Sequence, residues 1–171
     1  DLILSGISVN DLNFYELATM FEWFTCIQFR KIYNKVFYRY DDIDPNFKEL
    51  NHMSRHDTGI DGSDCESIIL QCKLRMLYLS FTECASFGFS ALSVDENSNI
   101  TVCWKKLFLV RNEESKLSYN LENIVRKKVV QDVTYKTTEL KQYCQKLVDN
   151  PSSIAKDEMK QDFELRYYQK E

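Results

Sequence analysis

Residues 67–72 read SIILQC: three aliphatics in succession closing on Gln71 and Cys72, with Lys73 immediately after. An apolar run this short, entered through a polar turn, is a buried strand. The segments around it carry helical spacing. In 13–31, Phe14, Leu17, Ala18, Phe21 and Phe24 form one stripe, and Asn13 with Glu16 three positions on has the form of a capping box. Ser80 and Glu83 repeat that signal at the head of 80–93, although Gly88 weakens the helix. Residues 120–128 and 137–148 also read as helices. KVFYRY (35–40), one or two segments within 101–110, and VVQDVTY (129–135) read as strands, with DENSN (95–99) a turn. Residues 41–58 are polar, contain Pro45 and predict a loop with one helical turn. Helices alternating with short buried strands predict an α/β domain with a mixed central sheet, its first helix packed on one face.

The chain of 171 residues suits one domain, placed at 1–150, followed by a charged helix or linker at 151–171 beyond Pro151. No apolar run approaches the about 20 residues that a membrane helix needs, and no signal peptide is visible. The first residue, Asp1, and the charged ending predict a fragment of a larger protein. The six cysteines form no CxxC pair and lie mostly in apolar segments, so they read as reduced thiols of an intracellular protein rather than zinc ligands. The net charge is −4, and residues 41–66 alone, with eight acids and two bases, carry −6, so the remainder carries +2. Basic pairs and triplets at Arg30-Lys31, Lys105-Lys106 and Arg126-Lys127-Lys128 leave nucleic-acid contact open.

The chemistry concentrates in 59–75. Asp61 stands between Ile60 and Gly62 in a turn that allows close backbone approach. Strand alternation puts Gln71 and Lys73 on one face and Cys72 on the other. If the two segments are neighbours, Asp61, Gln71 and Lys73 converge at one end of the sheet. A carboxylate, an amide oxygen and a backbone carbonyl are hard ligands suited to Mg²⁺ or Mn²⁺. An adjacent ammonium completes the equipment of metal-assisted phosphodiester hydrolysis.

"GID" at 59–61, "QCK" at 71–73 and "FE" at 21–22 together resemble the motifs of the PD-(D/E)xK nuclease superfamily, in particular its Mrr-like restriction endonuclease branch. The resemblance covers residues 14–148 and is nearest to nuclease domains fused to helicases in large DNA viruses and mobile elements. It implies a restriction-endonuclease-like α/β/α fold and a divalent-metal-dependent deoxyribonuclease, endonuclease before exonuclease. It implies that Asp61, Gln71, Glu22 and the backbone carbonyl of Cys72 hold Mg²⁺ or Mn²⁺, and that Lys73 positions the attacking water. DNA is the implied partner and a helicase an associated or fused one; the oligomeric state is left open, a dimer included. Two departures stand out: the usual Pro before the first acid is missing, and Gln71 replaces an acid. The rival reading is a degenerate nuclease fold that binds DNA or protein without cutting.

Glu22 is preferred to Glu16 as the helix ligand, because it borders the apolar stripe while Glu16 serves the cap. His52 and His56 read as solvated loop residues, and Asp57, Asp64 and Glu66 as surface acids. Arg75 could meet a phosphate. Tyr38, Tyr40 and Trp104 could stack on bases, with a place in the core as their default.

Overall fold

The structure, a computed structural model, describes residues 12–56 and 59–149. Asn13 starts the first helix, α1 (Phe14–Tyr33). Its side chain accepts the Glu16 N–H at 2.8 Å, and the Glu16 carboxylate accepts the Asn13 N–H at 3.2 Å. The capping box is therefore reciprocal. The helix stops at Asn34, which adopts a left-handed φ of 50°.

The chain then enters β1 (Tyr38–Arg39), far shorter than the six residues of KVFYRY. Both ends of the expected strand are diverted. The Phe37 carbonyl accepts two bonds from the Arg30 guanidinium, and Tyr40 turns into a single 3₁₀ turn, Tyr40–Asp42. A short helix, α2 (Pro45–Leu50), follows with Asp44 as its N-cap, matching the one helical turn expected in this polar stretch.

The central strands are β2 (Gly62–Ser63) and β3 (Ile68–Lys73). After them come β4 (Tyr78–Leu79), α3 (Phe81–Ser90), β5 (Leu92–Val94), β6 (Ile100–Val102), β7 (Lys106–Asn112), β8 (Lys116–Leu117), α4 (Tyr119–Arg126), β9 (Gln131–Tyr135) and α5 (Thr137–Asp149). Five strands make a mixed sheet in the order β1-β2-β3-β7-β9. The β1-β2 and β2-β3 pairs are antiparallel, and the β3-β7 and β7-β9 pairs are parallel. The small parallel pair β4-β8 had no sequence signal, since two-residue strands show no periodicity.

Alternation along β3 divides its side chains between two cores. Ile68 and Leu70 face α1 and α5, joining Phe21, Phe24, Phe29, Leu140 and Cys144. Ile69 faces α3 and α4, joining Phe87, Cys84 and Leu121. The sheet is thus covered on both faces, as an all-apolar stretch such as IIL requires. Phe29 sits in an aromatic cluster, edge-on to Phe37 and Phe108 with centroids 5.5 and 5.1 Å away. All six cysteines are free. Among the described residues, no helix is long and apolar enough to cross a membrane. The expected helix or linker at 151–171, and Asp57, lie outside the described residues.

Helix α3 begins with the second capping box, and Gly88 is accommodated within it. Glu83 accepts the Ser80 N–H at 2.9 Å and the Arg75 Nε at 2.8 Å. The Ser80 backbone bond first, and Arg75 with it, hold the Glu83 carboxyl down at about 2. A folded-state value below the usual 4.5 stabilises the fold above that pH and is lost as pH falls toward 2. Thermal melts from neutral pH to pH 2 should therefore show Glu83→Gln less stable than wild type at neutral pH, with the gap closing on acidification.

Candidate metal centre

The site forms where β2 meets the far end of β3. The pairing runs Gly62 to Leu70, yet the Asp61 N–H also reaches the Leu70 carbonyl, at 2.8 Å. Two successive residues address one partner, the arrangement of a β-bulge, which bends a strand and re-aims a side chain. The Asp61 carboxylate turns onto β3 and accepts the Cys72 N–H at 2.6 Å. It is thereby fixed at the strand position between Gln71 and Lys73. The Asp61 carbonyl accepts the Tyr40 N–H at 3.0 Å, tying the same residue to the end of β1.

Gln71 points into the α3 side of the sheet and is 0 % exposed. Neither its Oε1 nor its Nε2 has a hydrogen-bond partner among the described residues. Leaving a buried amide unpaired costs about 1–3 kcal/mol, so this side chain is held in place against its own solvation. Gly59 roofs it. A Cβ built on Gly59 would stand 3.2 Å from Gln71 Nε2, 2.7 Å from Ser86 Oγ and 3.1 Å from the Phe87 backbone nitrogen, and the residue has a φ of +95°. Gly59→Ala should destabilise the fold by about 1–3 kcal/mol in urea titrations. Adding Ser86→Ala should recover only part of that, because the Phe87 backbone and the positive φ remain.

Lys73 lies two residues beyond Gln71 and is half-buried. Three buried or half-buried thiols surround Asp61. Burial pushes the Cys84 thiol of α3 up to about 11, with Lys73 pulling it down and Asp61 adding to the rise. Burial likewise raises Cys26 of α1 to about 12 and Cys72 well above its ordinary value, and both feel the charges of Glu22 and Asp61. By strand alternation Lys73 shares the α3 face with Gln71, whereas Glu22 belongs to α1 on the opposite face.

Glu22 has a partner of its own. Its Oε2 accepts Arg39 Nη2 at 2.8 Å and Nε at 3.2 Å, with the two side chains 27 % and 16 % exposed. Arg39 also lies 5.0 Å from the Trp23 ring centroid. Sequence reading passed over Arg39, although it is the one cation inside KVFYRY apart from the leading Lys35. Glu16 is in the cap, as expected.

The remaining sequence candidates divide clearly. His52 and His56 are exposed. Trp104 and Tyr40 are buried in the α3-side core and Tyr38 packs against it. Asp64 is not a surface acid: its side chain is fully buried, and its Oδ1 accepts the N–H groups of Glu66, Ser67 and Ile68 at 2.8–3.0 Å. It builds the turn between β2 and β3. Glu66 is exposed and pairs with Lys35 at 2.6 Å. Arg75 is engaged by Glu83 at 2.8 Å. Of the basic clusters, Arg30 serves the Phe37 carbonyl and Arg126 pairs with Glu122 at 3.0 Å.

Among the described residues, no three His, Cys, Asp or Glu side chains converge closely enough to hold a metal ion. A cation here would rely on one bulge carboxylate and neutral oxygens, the orphaned Gln71 amide and the Cys72 carbonyl; Glu22, expected as a further ligand, lies with α1 on the opposite face of the sheet from Gln71 and is held by Arg39. Such a donor set fits a hard cation, Mg²⁺ or Mn²⁺. No family model, curated protein or solved structure matches the chain.

Proposed function

We propose that the protein is a divalent-metal-dependent nuclease acting on DNA, with a restriction-endonuclease-like α/β/α fold. The observation that carries this reading is the Asp61 carboxylate, aimed by a bulge onto the Cys72 N–H beside a buried Gln71 whose polar atoms have no partner among the described residues. Element order supports it too: a helix, an antiparallel three-strand meander, a helix, and a strand parallel to the third.

Asp61, Gln71 and the Cys72 carbonyl would hold the ion, with Glu22 behind them on the α1 face, bonded to Arg39. A bound Mg²⁺ or Mn²⁺ supplies Lewis acidity and a water of lowered pKa. Lys73 brings a positive charge to the same strand end, where it orients the nucleophile and stabilises charge developing on the phosphate. Asp61, fixed by a backbone N–H, keeps its position without a rotamer search. Incubating the purified chain with linear double-stranded and single-stranded DNA in Mn²⁺ should yield cleavage that EDTA abolishes. DNA left intact in Mn²⁺ by folded protein would refute the reading.

A second reading rests on specific observations: Gln71 is fully buried and Glu22 is committed to Arg39. In that case the fold is catalytically degenerate and binds DNA or protein within a larger helicase or recombinase-type protein. It predicts a shift of labelled DNA, or capture of a partner, that is unaffected by EDTA and by Asp61→Asn.

A further inference from the structure

The hairpin β5-β6 stands apart from the main sheet as its own two-stranded unit. Its register pairs Leu92 with Val102, Ser93 with Thr101 and Val94 with Ile100. The flanking bonds, Asp95 N–H to the Asn99 carbonyl and Cys103 N–H to the Ala91 carbonyl, both at 2.9 Å, fix which pairs are hydrogen-bonded. Alternation then makes Ser93-Thr101 a bonded pair and the two apolar pairs non-bonded. The N–H and C=O groups of Ile100 and Val102 consequently point outward from β6. The four apolar side chains share one face of the hairpin, and they are exposed by 42, 62, 75 and 62 % for Leu92, Val94, Ile100 and Val102.

Among the described residues no strand pairs with the outer edge of β6, and such an edge is normally guarded by a charge, a Pro, a bulge or a covering segment, or kept short, as the three residues of β6 keep it. Neither strand, LSV or ITV, has a charge or a proline. The charges lie at the two ends instead: Asp95 and Glu96 at the tip, Lys105 and Lys106 at the base. A two-fold axis through Thr101 sets Ile100 of one copy against Val102 of the other and satisfies all four outward N–H groups of the two β6 edges. The same operation carries each acidic tip toward the basic base of the other hairpin. The two apolar faces then merge into one.

We propose that β6 pairs antiparallel with β6 of a second copy of this chain, forming a continuous four-stranded intermolecular sheet centred on Thr101. The contact is isologous, so it closes at the dimer. It is independent of the nuclease reading and stands or falls on different residues.

Sedimentation equilibrium of the full chain tests it. Wild type should have twice the monomer mass, and Ile100→Lys with Val102→Lys should have the monomer mass with an unchanged circular dichroism spectrum, since both side chains are exposed. In a Cys103→Ser background, Thr101→Cys should form an intermolecular disulfide on mild oxidation, because non-bonded antiparallel partners lie close across the axis. Ser93→Cys, on the other strand, should not. A strictly monomeric wild type would assign the edge to a strand of another protein and overturn the proposal. So would a dimer that survives the two lysines, or one cross-linked through Ser93.

Discussion

Lys73→Ala is expected to lower Mn²⁺-dependent DNA cleavage by about 10²–10⁴-fold, the range in which a single positioned proton-transfer or charge-stabilising group contributes. Lys73 ends β3, half-buried, and forms no ion pair among the described residues, so the fold does not depend on its charge. Thermal unfolding should therefore stay close to wild type, with a small loss from the buried methylene stem. Lys73→Arg should not restore the rate, because a planar fork cannot take the place of a compact ammonium. The comparison to make is single-turnover cleavage at saturating Mn²⁺ alongside melting curves. An alanine variant that cuts at the wild-type rate removes Lys73 from the mechanism.

Gln71→Met should move stability and activity in opposite directions. The site is 0 % exposed, and both amide atoms lack partners among the described residues. Methionine nearly matches the volume and brings no hydrogen-bonding demand. Relieving the unpaired amide should stabilise the fold by about 1–3 kcal/mol in denaturant titrations. The same change deletes a metal oxygen, so cleavage should fall to background. Gln71→Glu should do the reverse: a buried carboxylate costs stability without metal and strengthens Mn²⁺ binding. A Met variant that is less stable than wild type would mean that the amide is satisfied in solution. One that is stable and fully active would show that Gln71 is not a ligand.

The sequence revealed the local devices best. Both capping boxes, Asn13-Glu16 and Ser80-Glu83, are read from four adjacent residues and occur as spelled. The buried strand at 67–72 follows from its unbroken apolar run, shifted by one residue to Ile68–Lys73. What sequence could not reveal was set by residues distant along the chain. KVFYRY shrinks to two paired residues because the Arg30 side chain, from the preceding helix, takes the Phe37 carbonyl. The burial of Gln71 depends on Gly59 crossing over it against Ser86 and Phe87, a tertiary contact without a local signature. Asp64 resembles any loop acid until the turn folds three N–H groups onto one oxygen. The approach of Asp61 to β3 was conditional on the two segments being neighbours, which the β2-β3 pairing makes them, and the bulge that aims the carboxylate had no signal. The Arg39 hold on Glu22 was likewise invisible, and it shifts the expected ligand set toward neutral oxygens.

Arg39 thus becomes a test of how the site is completed. Arg39→Gln should remove the Arg39 bonds to Glu22 at a cost of about 1–3 kcal/mol in stability and leave Mn²⁺ binding by Asp61 and Gln71 unchanged, since Glu22 lies on the other face of the sheet. Tighter binding in this variant would instead bring Glu22 into the metal shell.

The central claim is that Asp61 anchors a hard divalent cation at the end of β3. Titrating Mn²⁺ into the purified chain, followed by the loss of the free-ion electron paramagnetic resonance signal, measures this without reference to any substrate. Wild type should bind Mn²⁺ and Asp61→Asn, equally folded, should not. Mn²⁺ bound equally by both proteins, or by neither, would contradict the account.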